Sequence, residues 1–473
     1  MSNPIRRLPM AAAIYASGDF LLKGASFLLL PLLTRYLAPR DYGIVGSVTA
    51  FSLLLGLVLQ LNFNSAVMRF YGDFEDESER QEFTGSLIVF SIVWSIAIVV
   101  LLNIFGPVLL NHVYKEVRFE PYLRIGIWIA LFNTMAVLPL ALMQIQQRPG
   151  MHRLFTIGTF LLNTLFMLVF VVHFGMGAYG ALIGQLIGSG IAAIAHLALA
   201  RPYMTPAISG KVLRMCLGFS MPLLVYSLGG WAVDTSNRLF IERFVSLDQL
   251  GLFNIASQFA MILGYLLNGV GLAFTPLFYE TVRMPDGART LARFGLIYIA
   301  AAFGLGLLLA VFSKDAIDLM TQPRFHGAYR VVPILTATQA LTSFWHLIVN
   351  PLMLKKRTGS LMGIMLGSAV VSIGLNVWLV PKYGIVGAAL AALAGNVMLN
   401  VITSRFSIRA FPVPYDYQRI AIVTISAVTL CVAALTRSGF AARVAVVSLY
   451  PALLWASGVV DRTQLQGLLK VRG

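Results

Sequence analysis

Apolar residues run along this chain in long unbroken blocks, not in the alternation of a half-buried strand or the single stripe of a surface helix. Fourteen blocks stand out, near residues 11–34, 42–66, 84–105, 122–145, 154–174, 179–200, 215–241, 250–278, 294–313, 331–354, 359–380, 384–404, 418–436 and 441–460. Each is long enough to cross a hydrocarbon layer about 30 Å thick at about 1.5 Å per helical residue. The pattern predicts an all-α polytopic membrane protein with about fourteen transmembrane helices. A transmembrane β-barrel is excluded, because its strands are about ten residues long and alternate in polarity. The first block follows Arg6 and Arg7 as a signal peptide would. It is too long for such a segment and contains Asp19 and Lys23, so it reads as a first membrane helix.

Composition agrees with this pattern. Of 473 residues 58% are hydrophobic and 11% charged, which excludes a soluble enzyme and a disordered chain. The net charge of +16 would suggest nucleic acid in a soluble protein. Here topology explains it. With a cytoplasmic N-terminus, 21 Lys and Arg fall in the tails and cytoplasmic loops and 13 on the other side, with Lys23 inside the membrane. Both termini are then cytoplasmic, and no nucleic-acid partner is expected. The acidic run from Asp73 to Glu79 reads as a solvated cytoplasmic loop. Cys216 and Cys431 fall in or beside different blocks, so neither a disulfide framework nor a metal site is expected. No Gly-x-x-x-x-Gly-Lys-Ser/Thr run occurs, which argues against direct use of ATP.

The chain also repeats itself. Arg35-Tyr36-Leu37 followed by Gly43 matches Arg243-Phe244-Val245 followed by Gly251, and Phe70-Tyr71 matches Phe278-Tyr279, all at an offset of 208. Gly177-Ala178-Tyr179-Gly180-Ala181 matches Gly384-Ile385-Val386-Gly387-Ala388 at 207, and Leu142-Met143 echoes Leu352-Met353 at 210. Blocks one to six and seven to twelve are thus two copies of one unit. Six is even, so both copies enter the membrane in the same direction, which predicts two parallel six-helix lobes around a central cavity. The expected division is an N-terminal lobe over 1–205, a C-terminal lobe over 206–410, and two peripheral helices with a cytoplasmic tail over 411–473.

The stretch from Leu22 to Gly43, ending Arg35-Tyr36-Leu37-Ala38-Pro39-Arg40-Asp41-Tyr42-Gly43, resembles the polysaccharide transporters, or Wzx-type oligosaccharide flippases, of the multidrug/oligosaccharidyl-lipid/polysaccharide exporter superfamily. Tyr383-Gly384-Ile385-Val386-Gly387-Ala388-Ala389 is similar to the same family's turn between helices eleven and twelve. The resemblance implies a flippase, not an enzyme. It would carry a polyprenyl-diphosphate-linked oligosaccharide from the cytoplasmic to the periplasmic leaflet of a bacterial inner membrane, for O-antigen, capsule or exopolysaccharide synthesis. Its partners would be that substrate, membrane lipid and polysaccharide assembly proteins.

A charge at mid-membrane costs about 2.5–3.5 kcal/mol on insertion scales, so each needs a reason. Lys23 lies near the middle of the first block with Asp19 four residues earlier, on one helical face with Tyr15 and Ser26. Lys23 is the main candidate for the diphosphate, with Asp19 as counter-ion. Asp234 and Arg238 repeat the spacing in block seven, and Arg69 ends block two at the cytoplasmic mouth. Uncharged candidates for sugar hydroxyls are Gln60, Asn64, Asn268, Gln339, His346 and Asn350. Gln60 and Asn268 are repeat partners at 208. No cofactor is expected; proton or sodium coupling through Asp19 or Asp234 stays open. So do other readings: a lipid II-type flippase or a cation or drug exporter of the same superfamily, a membrane-embedded polysaccharide polymerase or ligase, and a non-transporting scaffold.

Overall fold

The computed structural model describes residues 22, 24–355, 358–437 and 439–459, apart from the side chains at 272, 273 and 358. Asp19, Lys23 and Tyr15 therefore lie outside the described residues. The described chain is helical throughout, with turns and no strand. Its helices are α1 (Leu30–Tyr36), α2 (Pro39–Gln60), α3 (Phe63–Phe70), α4 (Glu77–Val113), α5 (Arg124–Ile145), α6 (Pro149–Leu168), α7 (Gly177–Ala200) and α8 (Gly210–Asp234). They continue as α9 (Asn237–Phe244), α10 (Leu247–Thr281), α11 (Gly287–Met320), α12 (Val332–Ile348), α13 (Asn350–Leu354), α14 (Thr358–Ala410), α15 (Tyr417–Leu435) and α16 (Phe440–Ala456).

Among the described residues, eleven helices are long and apolar enough to cross a membrane, and α16 is a shorter apolar helix. One of the eleven, α14, is two of the predicted blocks. Gly384 has φ 59° and ψ −135°, which no α-helix contains. A Cβ placed on Gly387 would lie 2.2 Å from the Leu379 carbonyl oxygen, a contact open only to a chain that has doubled back. The same hairpin joins α6 to α7. Gly175 and Gly177 take φ of 64° and 55°, and Gly180 and Gly184 then lie against the backbones of Phe170 and Phe166–Met167. Thus both copies of the Gly177 and Gly384 repeat motif sit at reversals with backbone-on-backbone packing behind them.

The helices start and stop for local reasons. Pro39 and Pro149 occupy the first turns of α2 and α6, where a missing N–H costs nothing. Asp76 and Asp416 accept from backbone amides at the starts of α4 and α15. Long stretches of apolar side chain stay uncovered, as on α4, where Val93, Ile96, Val100, Ile104 and Val108 are all exposed. In water such a face would be an aggregation surface; on a membrane helix it is the face that meets lipid.

Two predicted helices are broken. α2 stops at Gln60, because Leu61 and Asn62 take left-handed φ of 49° and 57° before α3 begins. Gln60 and Asn64 therefore do not share one continuous helical face. Likewise α8 ends at Asp234 and α9 starts at Asn237, so Asp234 and Arg238 are not one turn apart on a single helix. Left-handed backbone at a leucine costs on the order of 1–3 kcal/mol and persists only where packing over-determines it. Leu61 is buried beside Phe63, Phe83, Leu87 and Leu142 in an apolar cluster that supplies this packing.

Contacts divide the chain into two compact units, one within residues 1–254 and one within 255–473. This division is of a different kind from the repeat. α8 and α9 pack on α2, α3 and α4, and so join the first unit. In the second unit, α11 packs on α12 and α15, and α12 on α14.

Candidate functional site

The family-like motif near residue 40 occupies a crossing in the first unit. A Cβ on Gly43 would lie 2.0 Å from the carbonyl oxygen of Leu247, and a Cβ on Gly251 would lie 2.0 Å from that of Pro39. Both pairs obey the offset of 208: Pro39 corresponds to Leu247, and Gly43 to Gly251. Contacts exchanged in this way, residue i with j and the partner of i with the partner of j, are the signature of a local two-fold relation. At this point, then, the starts of α2 and α10 touch as symmetric equivalents, backbone to backbone, where any larger residue than glycine would separate them.

Polar groups fix the crossing. Asp41 accepts from the Ala38 amide at 2.8 Å and from the Ala178 amide at 3.1 Å, so one carboxylate caps both α2 and α7. Asn254 packs on Gly46, donates to the Tyr42 carbonyl at 3.1 Å and accepts from Arg238 Nε at 3.0 Å. Asp234 lies within electrostatic reach of Arg238. Trp231 donates its indole N–H to the Ala50 carbonyl at 3.1 Å.

Beside the crossing sits a residue the sequence reading missed. Glu242, on α9, is 1% exposed. Its Oε1 accepts from the backbone amides of Lys115, Glu116 and Val117 at 2.9, 2.6 and 3.0 Å, and its Oε2 from Lys115 at 3.2 Å. Next to it, Arg243 donates to the carbonyls of His112 and Val113 at the end of α4. Arg40 pairs with Glu116 at 3.4 Å. Burial pushes the Glu242 carboxyl above the ordinary range against the opposing pull of the three amides, and the Glu116 charge adds to the rise. No hydrophobic pattern flags such a residue; its only sequence signal is an acid in a short polar stretch between two apolar blocks.

Further along α2 the first unit holds a cavity of about 120 Å³ lined by Thr49, Ser52, Gln60, Asn133, Thr134 and Gln185 among apolar neighbours from α2, α5 and α7. The hydroxyls of Ser52 and Thr134 are bonded to the Gly126 and Ala130 carbonyls. The amides of Gln60, Asn133 and Gln185 are the groups placed to meet a ligand, and none of the described lining residues is charged. Of the predicted residues, Gln60 lies in this cavity. Asn133 and Thr49 were not singled out by the sequence, because nothing local in their apolar blocks marks them as facing a cavity.

The other predicted residues are dispersed. Arg69 is exposed, forms a two-pronged pair with Asp73 at 3.0 and 3.2 Å, and lies over the Phe70 ring. Asn64, on α3, is half-buried, and Asn268 is exposed on α10. In the second unit Gln339 fills the space above Gly264, and His346 lies against Gly271 with its ring edge-on to Trp345. Asn350 donates to the His346 carbonyl at 2.8 Å and is 4% exposed. A polar stripe not predicted, Asn396, Asn400, Thr403 and Ser407 on α14, is buried against α12. It accepts from Thr342 and Trp345 and donates to the Leu341 carbonyl, which makes it a helix-to-helix fastening. Among the described residues no group of three His, Cys, Asp or Glu is arranged to hold a metal ion.

Comparison with known proteins places this architecture. The family model described as polysaccharide biosynthesis protein matches residues 32–281, just over half of the chain. An uncharacterized membrane protein of Methanocaldococcus jannaschii is 20% identical over 406 residues, covering 80% of this chain and 79% of its own. Among solved structures, the lipid II flippase MurJ in an inward closed conformation aligns with a TM-score of 0.73 at 13% identity, over 95% of this chain and 100% of that one. An inward-facing multidrug resistance MATE family transporter of the MOP superfamily aligns with a TM-score of 0.62 at 14% identity, over 84% of this chain and 96% of that one. At these identities the structural likeness establishes the fold. The family match covers the motif and the crossing built from it, and the chain is accordingly a member of the polysaccharide biosynthesis protein family, with the all-helical fold of the multidrug/oligosaccharidyl-lipid/polysaccharide exporter superfamily.

Proposed function

We propose that the protein is a flippase that moves a polyprenyl-diphosphate-linked oligosaccharide from the cytoplasmic to the periplasmic leaflet, by alternating access of the two six-helix repeats over 1–205 and 206–410. The observation that carries this reading is the uncharged, amide- and hydroxyl-lined cavity between α2, α5 and α7 in a member of a polysaccharide biosynthesis family. Amides and hydroxyls suit sugar hydroxyls, which both donate and accept. A cation exporter would be better served by carboxylates there, and the described lining has none.

Lys23, with Asp19 beside it in the sequence, is the proposed partner of the diphosphate. Arg69, exposed at the end of α3, meets the head group at the cytoplasmic mouth by exchanging its bond to Asp73 for one to phosphate. In this orientation the Gly43–Gly251 crossing lies on the periplasmic side, and both termini are cytoplasmic. Asn64, Asp234, Arg238, Asn268, Gln339, His346 and Asn350 are the remaining proposed contacts along the path. An outward-moving anion gains about 2.3 kcal/mol per charge per 100 mV against an interior-negative potential, so the membrane potential alone favours export. Proton or sodium coupling through Asp19 or Asp234 is a further proposal, tested by imposing each ion gradient separately.

The reading predicts that Lys23→Ala, reconstituted in liposomes, lowers the rate of transfer of a polyprenyl-diphosphate oligosaccharide by at least tenfold, while Lys23→Arg retains most of it. Wild-type rates in Lys23→Ala would remove Lys23 from the site. Transfer of lipid II in place of the oligosaccharide would move the assignment to the lipid II-type reading.

A further inference from the structure

Glu242 does something the flippase reading does not ask of it. It is a buried acid whose bonds run to three consecutive backbone amides of a loop distant in sequence, and its neighbour Arg243 takes the carbonyls that precede that loop. Together they hold both polarities of the α4 end: an acid for its free N–H groups, a base for its free C=O groups. By the repeat, α9 belongs to the second copy and the 112–117 loop to the first. The attachment therefore fastens one copy to the other, on the side of the membrane where Gly43 and Gly251 meet.

The symmetric positions carry different residues. At an offset of 208, Glu242 corresponds to Thr34, which has no carboxylate. At offsets of 207 or 208, Pro323 takes the place of Glu116 or Lys115, and proline has no N–H to donate. Arg35 and Arg243 are conserved between the copies, and the crossing glycines are too; the acid and its complete set of donors are not. A brace needed only for folding of the common unit would be expected in both.

Resting on the flippase reading, we propose that Glu242 is a one-sided latch: it holds this face shut by binding the 115–117 backbone, and the substrate leaves through this face only when that backbone is released. Glu242 is a positioning residue; it touches no substrate.

Two kinds of variant attack the latch from its two sides. Glu242→Leu removes the acceptor and keeps a side chain of similar bulk, while Glu242→Gln keeps one acceptor oxygen. Glu116→Pro removes the donor of the 2.6 Å bond, with Glu116→Ala as the control that keeps the N–H but not the pair with Arg40. Hydrogen exchange at the amides of 115–117 is measured in substrate-free liposomes. Reporter cysteines at Ser47, next to the crossing, and at Asn64, beyond the break in α2, are titrated with a membrane-impermeant maleimide from each side. Exchange rises at least tenfold at 115–117 in Glu242→Leu and at the remaining amides of 115 and 117 in Glu116→Pro; in both, labelling at 47 rises several-fold and labelling at 64 falls. Glu242→Gln and Glu116→Ala stay within about threefold of wild type.

Unchanged exchange in Glu242→Leu and Glu116→Pro overturns the latch. So does a rise at 47 with no fall at 64, because a plain structural brace loosens one face without closing the other. These readings need no substrate. If they come out as expected while the wild-type protein moves no lipid-linked oligosaccharide, the flippase reading fails and the latch stands. If the wild-type protein transfers substrate and the exchange is unaltered, the latch fails alone.

Discussion

Asp41 shows how much one side chain can settle in this fold. Its two oxygens cap α2 and α7, helices more than a hundred residues apart in sequence. Asp41→Ala leaves both helix starts short of an acceptor, and a lost cap costs about 0.5–2 kcal/mol. Thermal unfolding of the purified protein should therefore shift down, with Asp41→Asn intermediate. The glycines of the crossing make a sharper case. Gly43→Ala and Gly251→Ala each put a methyl group onto a backbone carbonyl, and overpacking of this kind costs about 1–3 kcal/mol. Because the two sites are symmetric equivalents, both should lower the unfolding temperature by similar amounts. Gly218→Ala, on α8 with nothing within 4 Å of the added carbon, should not lower it.

Glu242 adds a pH dependence whose sign follows from its burial. The docked carboxyl lies above the ordinary glutamate range, chiefly through desolvation, so the docked loop binds the proton more tightly than a released, hydrated one. Docking is strongest below the ordinary value and loses part of its stability as pH rises from there through the raised value. Exchange at 115–117 measured across pH 4 to 8, corrected for intrinsic exchange, should rise with pH in the wild-type protein and be flat in Glu242→Gln.

At the scale of elements, the apolar blocks located the helices well, because a twenty-residue apolar run in a membrane has few other structures open to it. What they could not locate were the interruptions. The break at Leu61-Asn62 lies in a stretch, 57–70, with no proline and no glycine, and the cluster around Phe63, Phe83 and Leu142 holds Leu61 in place. Such a break is tertiary in origin and leaves no local trace. The break after Asp234 separates two charges whose spacing suggested a shared helical face. By contrast, the turns at Gly177 and Gly384 were legible, since positive φ selects glycine. Polar residues inside the apolar blocks stand out in the sequence, but their roles do not. Ser368 and Asn376 bond their own helix at the Ile364 and Ser372 carbonyls, and the Asn396–Thr403 stripe fastens α14 to α12, while Gln60 faces a cavity. Periodicity reports which residues share a face and is silent on what that face meets.

At the scale of the whole molecule, the repeat was the most informative feature of the sequence, and the reciprocal contacts of Gly43 with Leu247 and Gly251 with Pro39 are its physical counterpart. The candidate site was less legible. Gln60 could be found because it is a polar residue with a polar repeat partner, Asn268; Asn133 and Glu242 could not, because their meaning depends on neighbours brought in from other helices. Departures from the repeat are as telling as the repeat itself. Where the two copies agree they build the crossing, and where they differ, at Glu242 against Thr34 and at Pro323, function that needs direction can be placed. The most direct test of the account as a whole is a leaflet-transfer assay in liposomes holding the purified protein and a labelled polyprenyl-diphosphate oligosaccharide, with an impermeant glycosidase outside. The account predicts that the protected inner-leaflet fraction becomes cleavable with time, faster when the imposed potential favours anion movement outward, and at least tenfold slower with Lys23→Ala. A protected fraction that stays constant in liposomes with and without the protein would contradict it.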